Sequence, residues 1–349
     1  MKLDQGQFGA AAPLNRLADP ARAEPQRRGV CRPWPSPLRI ATPADAEVRI
    51  GVIHNARARH NLLRAAPLFV DGCEHVMPQS HAELDEALAG FSARGVNALI
   101  IDGGDGTVRD VMSIASRHYS GVFPRIAIVP SGKTNALALD LGLPKHWTAK
   151  DAVEAIRFGG IKERSPIEVW RPGAEQAELR GFIFGAGAFV RATGLAQTTH
   201  RFGAFNGMAV GLSIAGAVAQ TLFGGRDNSW RRGEPMRVAS ADGTDVDGAH
   251  YMLIGSTLVH MPLKVRPFGE PRAGLKLLRV EGSPRNIISA LPALLGGGQP
   301  RWMAQSGYHR EDSERFDLRL DGGFILDGET FDGGDLTLRQ GCPMRFVVP

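Results

Sequence analysis

Two glycine-rich segments of the chain combine residue types that can bind phosphate. The first, GGDGT at residues 103–107, follows the apolar run LIID and precedes a helix-like run. Its glycines let the backbone approach a phosphate closely, and the following helix N-terminus supplies N–H donors and a positive dipole. A tight turn, closed by a capping box between Thr107 and Asp110, would explain the same pattern without a ligand. The segment is therefore a candidate phosphate site with a structural alternative.

The second segment, AIVPSGKT at residues 127–134, fits a relaxed Walker A spacing. Its loop positions, however, hold two β-branched residues and Pro130, which favour a strand and remove an amide donor. We therefore expect a second strand-to-helix loop rather than a P-loop. In this loop Lys133 would act as a point charge on phosphate, or would be a solvent-facing lysine in a turn. The candidate phosphate-binding residues are Gly132, Lys133, Thr134 and Asn135.

Both loops depend on the elements that carry them. From Val48 onward, strand-like runs (VRIGVIHN, NALIID, RIAIV) alternate with helix-like runs, of which SHAELDEALAGFSARG begins with a capping box at Ser80 and Glu83. Such alternation predicts a parallel sheet with helices on both faces. Ligands bind at the carboxyl edge of such a sheet, and both glycine loops are expected there.

The chain is long enough for two domains. It has 349 residues, of which 43% are hydrophobic. Residues 1–46 are rich in Pro and Arg and predict a flexible tail; residues 47–162 predict a Rossmann-like, parallel-sheet α/β domain that binds nucleotide. Residues 163–349 hold short apolar runs separated by Gly, Pro and Asp, the last of them MRFVVP, and predict a β-rich second domain, a β-sandwich.

Charge and hydropathy limit the partners. The net charge of +5 is too small to indicate nucleic acid, but suits an anionic ligand or membrane surface, and an ordinary solvated surface explains it equally well. The N-terminus lacks the continuous apolar core of a secretory signal, so we expect a cytoplasmic protein. The uncharged segment 202–225 reaches transmembrane length and predicts either a bilayer span or a helix packed inside a domain.

The motifs together resemble the diacylglycerol kinase catalytic-domain family, which includes bacterial lipid kinases, sphingosine kinases and ceramide kinases and is distantly related to NAD kinases. GGDGTVRDV resembles the family's GGDGT followed by a Glu-Val pair, and PSGKTNALALDLG resembles its Pro-x-Gly-Thr-x-Asn segment. LDGETF at 326–331 is similar to its Asp-Gly-Glu motif. Lys133 stands where the family usually has Thr, and Ala136 where many members have Asp.

The resemblance implies an ATP-dependent lipid kinase that transfers the γ-phosphate to a lipid hydroxyl. It implies Asp327 as general base, and Asp105 and Glu329 as carboxylates near Mg²⁺. In isolation LDGET would predict only a hairpin turn. The implied nucleotide-binding residues are Asn55, Gly103, Gly104, Asp105, Gly106, Thr107, Gly132, Lys133, Thr134 and Asn135.

The expected partners follow from the same resemblance. They are a lipid substrate and an anionic membrane surface, with peripheral association from the cytoplasm, a homodimer as a candidate assembly and no nucleic acid. The apolar segment 203–223 is a candidate wall for acyl chains, or an ordinary core helix. Two alternatives remain: an NAD kinase-like enzyme, which would share GGDGT, and a catalytically silent protein that binds nucleotide or lipid.

Overall fold

The computed structural model describes residues 47–58, 69–120, 122–144, 146–191 and 232–349. The predicted tail at 1–46 and the apolar segment 202–225, with its interpretations as a bilayer span or an acyl-chain wall, lie outside the described residues. Within the described ranges, no helix combines the length and the apolar character needed to cross a bilayer.

A mainly parallel six-stranded sheet, sheet A, carries both glycine loops. Its order is β2–β1–β3–β4–β17–β5, and only β5 runs antiparallel to its neighbour. The strands are β1 (Ile50–His54), β2 (Glu74–Val76), β3 (Ala98–Gly103), β4 (Arg125–Pro130), β5 (Gly160–Arg164) and β17 (Met344–Val348). Because β3 and β4 are parallel neighbours, the loops that follow them meet at one edge of the sheet.

Helices cover both faces of sheet A, as predicted. They are α1 (His81–Ala93), α2 (Asp105–His118), α3 (Ala136–Leu141) and α4 (Ala149–Phe158). Leu99 and Ile101 of β3 pack in the same core as α1 and α2, whereas the alternate residues Ala98 and Ile100 pack with α4. Side chains alternate between the faces of a strand, so a strand that is apolar throughout is buried on both sides.

Two local predictions at helix starts have different outcomes. The Ser80 half of the capping box at α1 is confirmed, because the Oγ atom of Ser80 accepts a hydrogen bond from the backbone N–H of Glu83 at 3.2 Å, whereas the Glu83 carboxylate accepts from the N–H of Gln79 and not from that of Ser80. The capping box between Thr107 and Asp110 is wrong: α2 begins at Asp105 with Gly104 as its N-cap, so both residues lie inside the helix. The first turn of α2 is thus part of GGDGT, which leaves the N–H groups of that turn available for a ligand.

An antiparallel network of eleven strands, sheet B, forms the β-rich part of the chain. The order along its main path is β15–β14–β8–β10–β9–β13–β16–β6–β7, and β11 pairs with β10 and β12. The strands are β6 (Ile167–Trp170), β7 (Leu179–Gly181), β8 (Ile183–Gly187), β9 (Glu234–Ser240), β10 (Asp245–Ser256), β11 (Lys276–Glu281), β12 (Tyr308–Asp312), β13 (Arg315–Leu320), β14 (Phe324–Leu326), β15 (Glu329–Phe331) and β16 (Gly334–Gln340). The prediction of a parallel α/β part followed by a β-rich part is confirmed.

The last strand lies in a different sheet from the one expected. MRFVVP, which the sequence analysis placed in the β-rich region, forms β17 between β4 and β5 of sheet A. Phe346 is fully buried in the core shared with α1 and α2, and Val347 is buried on the opposite face. The physical reason is that MRFVV is apolar on both faces, which suits a central strand of a helix-covered sheet.

Two further helices lie between β11 and β12. They are α5 (Ile287–Gly296) and α6 (Trp302–Gln305). A short 3-10 turn (Pro262–Lys264) precedes β11. These elements were not predicted from the sequence.

Candidate active site

The two glycine loops are in direct backbone contact. A β-carbon at Gly104 would lie 2.9 Å from the Cα atom of Gly132, and a β-carbon at Gly132 would lie 2.5 Å from the Cα atom of Gly104. Any side chain at either position would push the loops apart. In contrast, a β-carbon at Gly106 would meet only the guanidinium of Arg109, at 3.9 and 4.0 Å, so a side chain there would not disturb the loops.

Asp105 joins the first loop to the helix of the second. Its carboxylate accepts hydrogen bonds from the backbone N–H groups of Ala136 (3.0 Å) and Leu137 (3.2 Å), in the first turn of α3. Burial raises the pKa of Asp105, and these N–H groups oppose the shift. The carboxylate therefore caps α3, an arrangement that fixes the position of one loop relative to the other.

Asn135 closes the second loop. It has a left-handed backbone (φ 49°), and its side-chain oxygen accepts from the N–H of Gly132 at 3.0 Å while its amide donates to the Gly132 carbonyl at 3.1 Å. Within the described part of the chain, the neighbouring Lys133 and Thr134 are exposed and Lys133 forms no hydrogen bond or ion pair. The loop is thus rigid at Asn135 and presents a free cation beside it.

Asn55 reaches the first loop from β1. Its amide donates to the Oγ1 atom of Thr107 at 2.7 Å, and its side-chain oxygen accepts from the N–H of Arg57. The two side chains line a cleft of about 290 Å³ between the β1 loop and the first turns of α1 and α2. Polar residues of this cleft are Asn55, Arg57, Gln79, His81, Thr107 and Asp110.

A polar network lies beneath the two loops. Asp102, at the end of β3, accepts hydrogen bonds from the hydroxyl of Ser131 and lies 3.1 Å from Nδ1 of His54. The Nε2 atom of His54 is in turn 3.1 Å from Nδ1 of His75. These buried groups link the ends of β1, β3 and β4, so His54 has a structural role.

The Asp-Gly-Glu motif forms a hairpin turn between β14 and β15, and the turn places Asp327 against sheet B. Asp327 (φ 47°) and Gly328 (φ 86°) both adopt left-handed backbones, and Leu326 pairs with Glu329 across the hairpin. This is the geometry that favours an Asp-Gly pair in a two-residue hairpin. The Asp327 carboxylate accepts hydrogen bonds from the N–H groups of Phe182 (3.0 Å) and Ile183 (2.9 Å).

The pKa of Asp327 is raised to about 7, mainly because the carboxyl group is removed from water. The negative charge of Asp105 raises it further, whereas the N–H of Ile183 and the cation of Arg109 lower it. The effect of Asp105 means that the hairpin and the first glycine loop share one electrostatic environment. A carboxyl group with this pKa changes protonation near neutral pH, as a general base must.

Arg109 connects the two sheets at this point, and sequence analysis missed it. Its guanidinium lies on α2, is 1% exposed, donates to the Leu326 carbonyl at 3.0 Å and pairs with both Asp110 and Glu329. The same group lies 5.1 Å from the centre of the Phe331 ring. The only signal in the sequence was an arginine among the apolar positions of a helix. Its partners in the hairpin, Leu326 and Glu329, are more than 200 residues away, so the sequence pattern could not identify it.

The structure therefore brings most of the predicted residues together. Asn55, residues 103–107 and residues 132–135 form one continuous set of contacts at the carboxyl edge of sheet A, and Asp327 couples to them through Asp105. The Glu329 side chain is 54% exposed and forms an ion pair with Arg109. Among the described contacts, none joins Glu329 to Asp105. Among the described residues, no group of three His, Cys, Asp or Glu side chains has the arrangement of a metal site.

Comparison with known proteins identifies first the fold and then the family. Three solved structures from Bacillus anthracis str. Sterne, each described as a diacylglycerol kinase or a proposed one, superpose with TM-scores of 0.61, 0.57 and 0.59 at 15%, 13% and 14% sequence identity. Each alignment covers 86% of this chain and 97% of the other. At such low identity this likeness shows the shared fold.

A family model matches part of the sequence. Residues 53–169 match the model of the diacylglycerol kinase catalytic domain, a segment that includes Asn55 and both glycine loops and ends before the Asp-Gly-Glu hairpin. The resemblance to the diacylglycerol kinase catalytic-domain family is confirmed for this part of the chain. No curated protein matches the chain.

Proposed function

We propose that the protein is an ATP-dependent lipid kinase that transfers the γ-phosphate to a lipid hydroxyl. The observation that carries the proposal is Asp327, a carboxyl group with a pKa of about 7 that is coupled to Asp105 of the first glycine loop. A kinase of this type needs a phosphate cradle, a divalent cation and a carboxylate that accepts the alcohol proton. The two loops and the hairpin supply the first and the last.

The cradle consists of the predicted loop residues. Residues 103–107 and 132–135 would bind the phosphates of ATP, because the start of α2 presents N–H groups that no side chain caps. Asn55 would contact the nucleotide from the cleft that it shares with Thr107. Lys133 would contact the β- or γ-phosphate with its positive charge. This point charge would take the place of the hydroxyl contact that a Thr, the usual residue of the family at this position, would make.

Asp327 would act as general base. Its ionised carboxylate accepts the proton of the lipid hydroxyl while the hydroxyl oxygen attacks the γ-phosphorus atom. The bond between that phosphorus and the bridging oxygen breaks, ADP leaves with the bonding electrons, and the proton remains on Asp327 until it exchanges with water. Hydrogen bonds from the backbone N–H groups of Phe182 and Ile183 hold the carboxylate in a fixed orientation while it accepts the proton.

Mg²⁺ fits the charges at this site. The negative charge of Asp105, which raises the pKa of Asp327, is one that a cation would offset. Asp105 and Glu329 would hold the ion, through water because Mg²⁺ keeps much of its hydration shell. When bound with ATP, the cation would supply positive charge for the phosphate oxygens. Both carboxylates already accept hydrogen bonds from protein groups, which is compatible with an indirect role.

The remaining features of the proposal concern partners and place. We propose a lipid acceptor, peripheral association with an anionic membrane surface from the cytoplasm, a homodimer as assembly and no nucleic-acid ligand. Supporting observations are the net charge of +5 and the family of the catalytic domain.

The proposal is tested by transfer of radiolabelled γ-phosphate from ATP with Mg²⁺ to micelles of diacylglycerol, monoacylglycerol, sphingosine or ceramide, with NAD as a soluble acceptor. Label in one lipid identifies the acceptor. Label in NAD alone would replace the proposal with an NAD kinase-like activity. ATP binding without any transfer would favour the catalytically silent protein.

The base is tested by Asp327→Asn. We expect transfer to fall about 10²–10⁴-fold while ATP affinity is kept, because the variant loses only the proton acceptor. Asp321→Asn is the matched control, since Asp321 lies exposed in another Asp-Gly turn of sheet B. Equal activity of Asp327→Asn and the control would remove Asp327 from the role of base.

A further inference from the structure

Helix α5 leaves large apolar side chains in solvent along one face. Ile288 is 64% exposed and Leu295, seven residues later, is 40% exposed. Positions seven residues apart lie on the same side of a helix, and exposed Pro292 lies between them. The buried residue Ala290 attaches the opposite side to the core formed with Tyr308. An uncharged helix with an apolar outward face differs from the usual amphipathic surface helix.

The turn Pro262–Lys264 adds a further exposed apolar residue. Leu263 is 58% exposed, and both Leu263 and Lys264 have left-handed backbones with φ of 57°. Bulky residues avoid this conformation, which persists only where the surrounding structure imposes it. The fold thus holds a leucine outward at the tip of a strained turn.

The turn and α5 form one surface. The backbone N–H of Arg266 donates to the carbonyl of Leu295 at 2.9 Å. Arg310 then clamps both segments, because its guanidinium donates to the carbonyls of Pro267 (2.7 Å) and Gly298 (2.8 Å). We call Leu263, Ile288, Pro292 and Leu295, with the basic residues around them, the docking face.

The charged residues of the two segments that form the docking face are basic, and acidic residues, Glu270 and Glu281, flank these segments. Residues 257–269 and 282–310 contain five Lys or Arg residues and no Asp or Glu. Within the described ranges, Lys264, Arg285 and Arg301 are exposed and form no ion pair. One basic residue, Arg266, has an exposed partner in Glu270. An apolar face bordered by unpaired cations is complementary to an anionic bilayer, where apolar side chains enter the acyl boundary and cations contact headgroups.

The docking face adjoins the candidate active site. The 3-10 turn packs on α3, the helix that follows the second glycine loop. Just before the turn, the backbone N–H of His260 donates to the Oδ1 atom of Asp140 in α3 at 2.7 Å. A bilayer bound to the docking face would therefore lie near the second glycine loop, which precedes α3.

We propose that the docking face binds the surface of an anionic phospholipid bilayer. The choice of a bilayer as occupant rests on the proposed lipid kinase function. Apolar contact and headgroup attraction act together, which is the combination needed for stable peripheral binding.

The test is co-sedimentation of the full chain with vesicles of phosphatidylcholine plus phosphatidylglycerol, compared with phosphatidylcholine alone, without ATP. We expect binding to the anionic vesicles. Arg285→Gln with Arg301→Gln should lower the partition coefficient roughly 25-fold, about fivefold for each residue. Ile288→Ser with Leu295→Ser should lower it at least about tenfold, since both side chains would leave the bilayer.

Matched controls separate these effects from general changes of surface. Phe158→Ser removes another exposed apolar side chain, and Arg237→Gln with Arg319→Gln removes two surface arginines elsewhere; both should bind as the wild type does. Circular dichroism melts check that every variant is folded.

Three results would overturn the proposal. The first is wild-type protein that does not sediment with anionic vesicles. The second is unchanged vesicle binding by both docking-face variants. The third is a wild-type dimer in size-exclusion chromatography that dissociates in the Ile288→Ser, Leu295→Ser variant, because a second copy of the chain would then be the occupant of the docking face. Phosphate transfer to a monodisperse short-chain acceptor should be unaffected by these variants. Failure of that activity in the wild type therefore counts against the kinase and leaves the binding result intact.

Discussion

Replacement of Arg109 by methionine should destabilise the protein through the junction of its two sheets. The arginine side chain is 1% exposed and donates to the carbonyl of Leu326, a residue that is itself buried. Methionine keeps most of the volume of the stem but donates no hydrogen bond. The variant thus removes one partner of a buried polar network and leaves the acceptors in place, which is the costly way to disrupt such a network.

The magnitude follows from the exposure of each acceptor. The carbonyl of Leu326 has no route to water without local opening, so its loss of a donor costs about 1–3 kcal/mol. Glu329 is 54% exposed and Asp110 is 23% exposed, so water replaces part of the lost ion pair and each adds about 1 kcal/mol or less. We expect a decrease of about 2–4 kcal/mol in the free energy of unfolding.

The assay is urea denaturation followed by circular dichroism, with Arg319→Met as control. Arg319 is 66% exposed and pairs with Asp335 on the surface, so its replacement should cost less than about 1 kcal/mol. An Arg109→Met protein whose free energy of unfolding lies within about 0.5 kcal/mol of the wild type would refute this account of the junction. A loss equal in the two variants would show that burial of the guanidinium has no special effect.

Four further predictions concern the candidate active site. Phosphate transfer should rise with pH along a limb centred near 7, where Asp327 ionises, and a pH-rate profile without this limb would contradict the role of base. The pKa of Asp327 in the folded state lies above the usual value of 3.8, so the folded state binds this proton more tightly than the unfolded state. The free energy of unfolding should therefore fall, relative to that of Asp327→Asn, as the pH rises from about 4 to about 7. Urea titrations at several pH values test the sign of this change. Gly104→Ala should lower nucleotide affinity at least about tenfold by separating the loops, whereas Gly248→Ala, with open space around it, should not; isothermal calorimetry measures both. Gly181→Ala would place a β-carbon 2.5 Å from the Oδ2 atom of Asp327, so transfer should decrease with ATP affinity unchanged, and equal loss of both would point to general disruption.

The sequence predicts those parts of the site that depend on neighbouring strands. GGDGT and PSGKTN each follow an apolar strand, and parallel neighbours bring such loops to one edge, so contact between Gly104 and Gly132 could be anticipated from the pattern alone. The start of α2 was misjudged because Gly and Asp favour turns, whereas the structure uses them in the first helical turn.

The parts that escaped prediction depend on contacts between distant segments. Burial of Arg109 requires the β14–β15 hairpin, and the partners of Asp327 are backbone N–H groups that carry no sequence signal at all. The apolar run of β17 was recognised as a strand, but an apolar run does not state which sheet it will join.

The position of β17 has a consequence for synthesis of the chain. This strand lies between β4 and β5, so the edges of those two strands stay open on a nascent chain until residues 344–348 emerge from the ribosome. The glycine loops can form early, because β3 and β4 are already paired, but the sheet beneath them cannot close. Open strand edges are sites of mispairing and aggregation. Sheet A therefore stays exposed to mispairing until β17, which follows all the strands of sheet B in the sequence, has been translated.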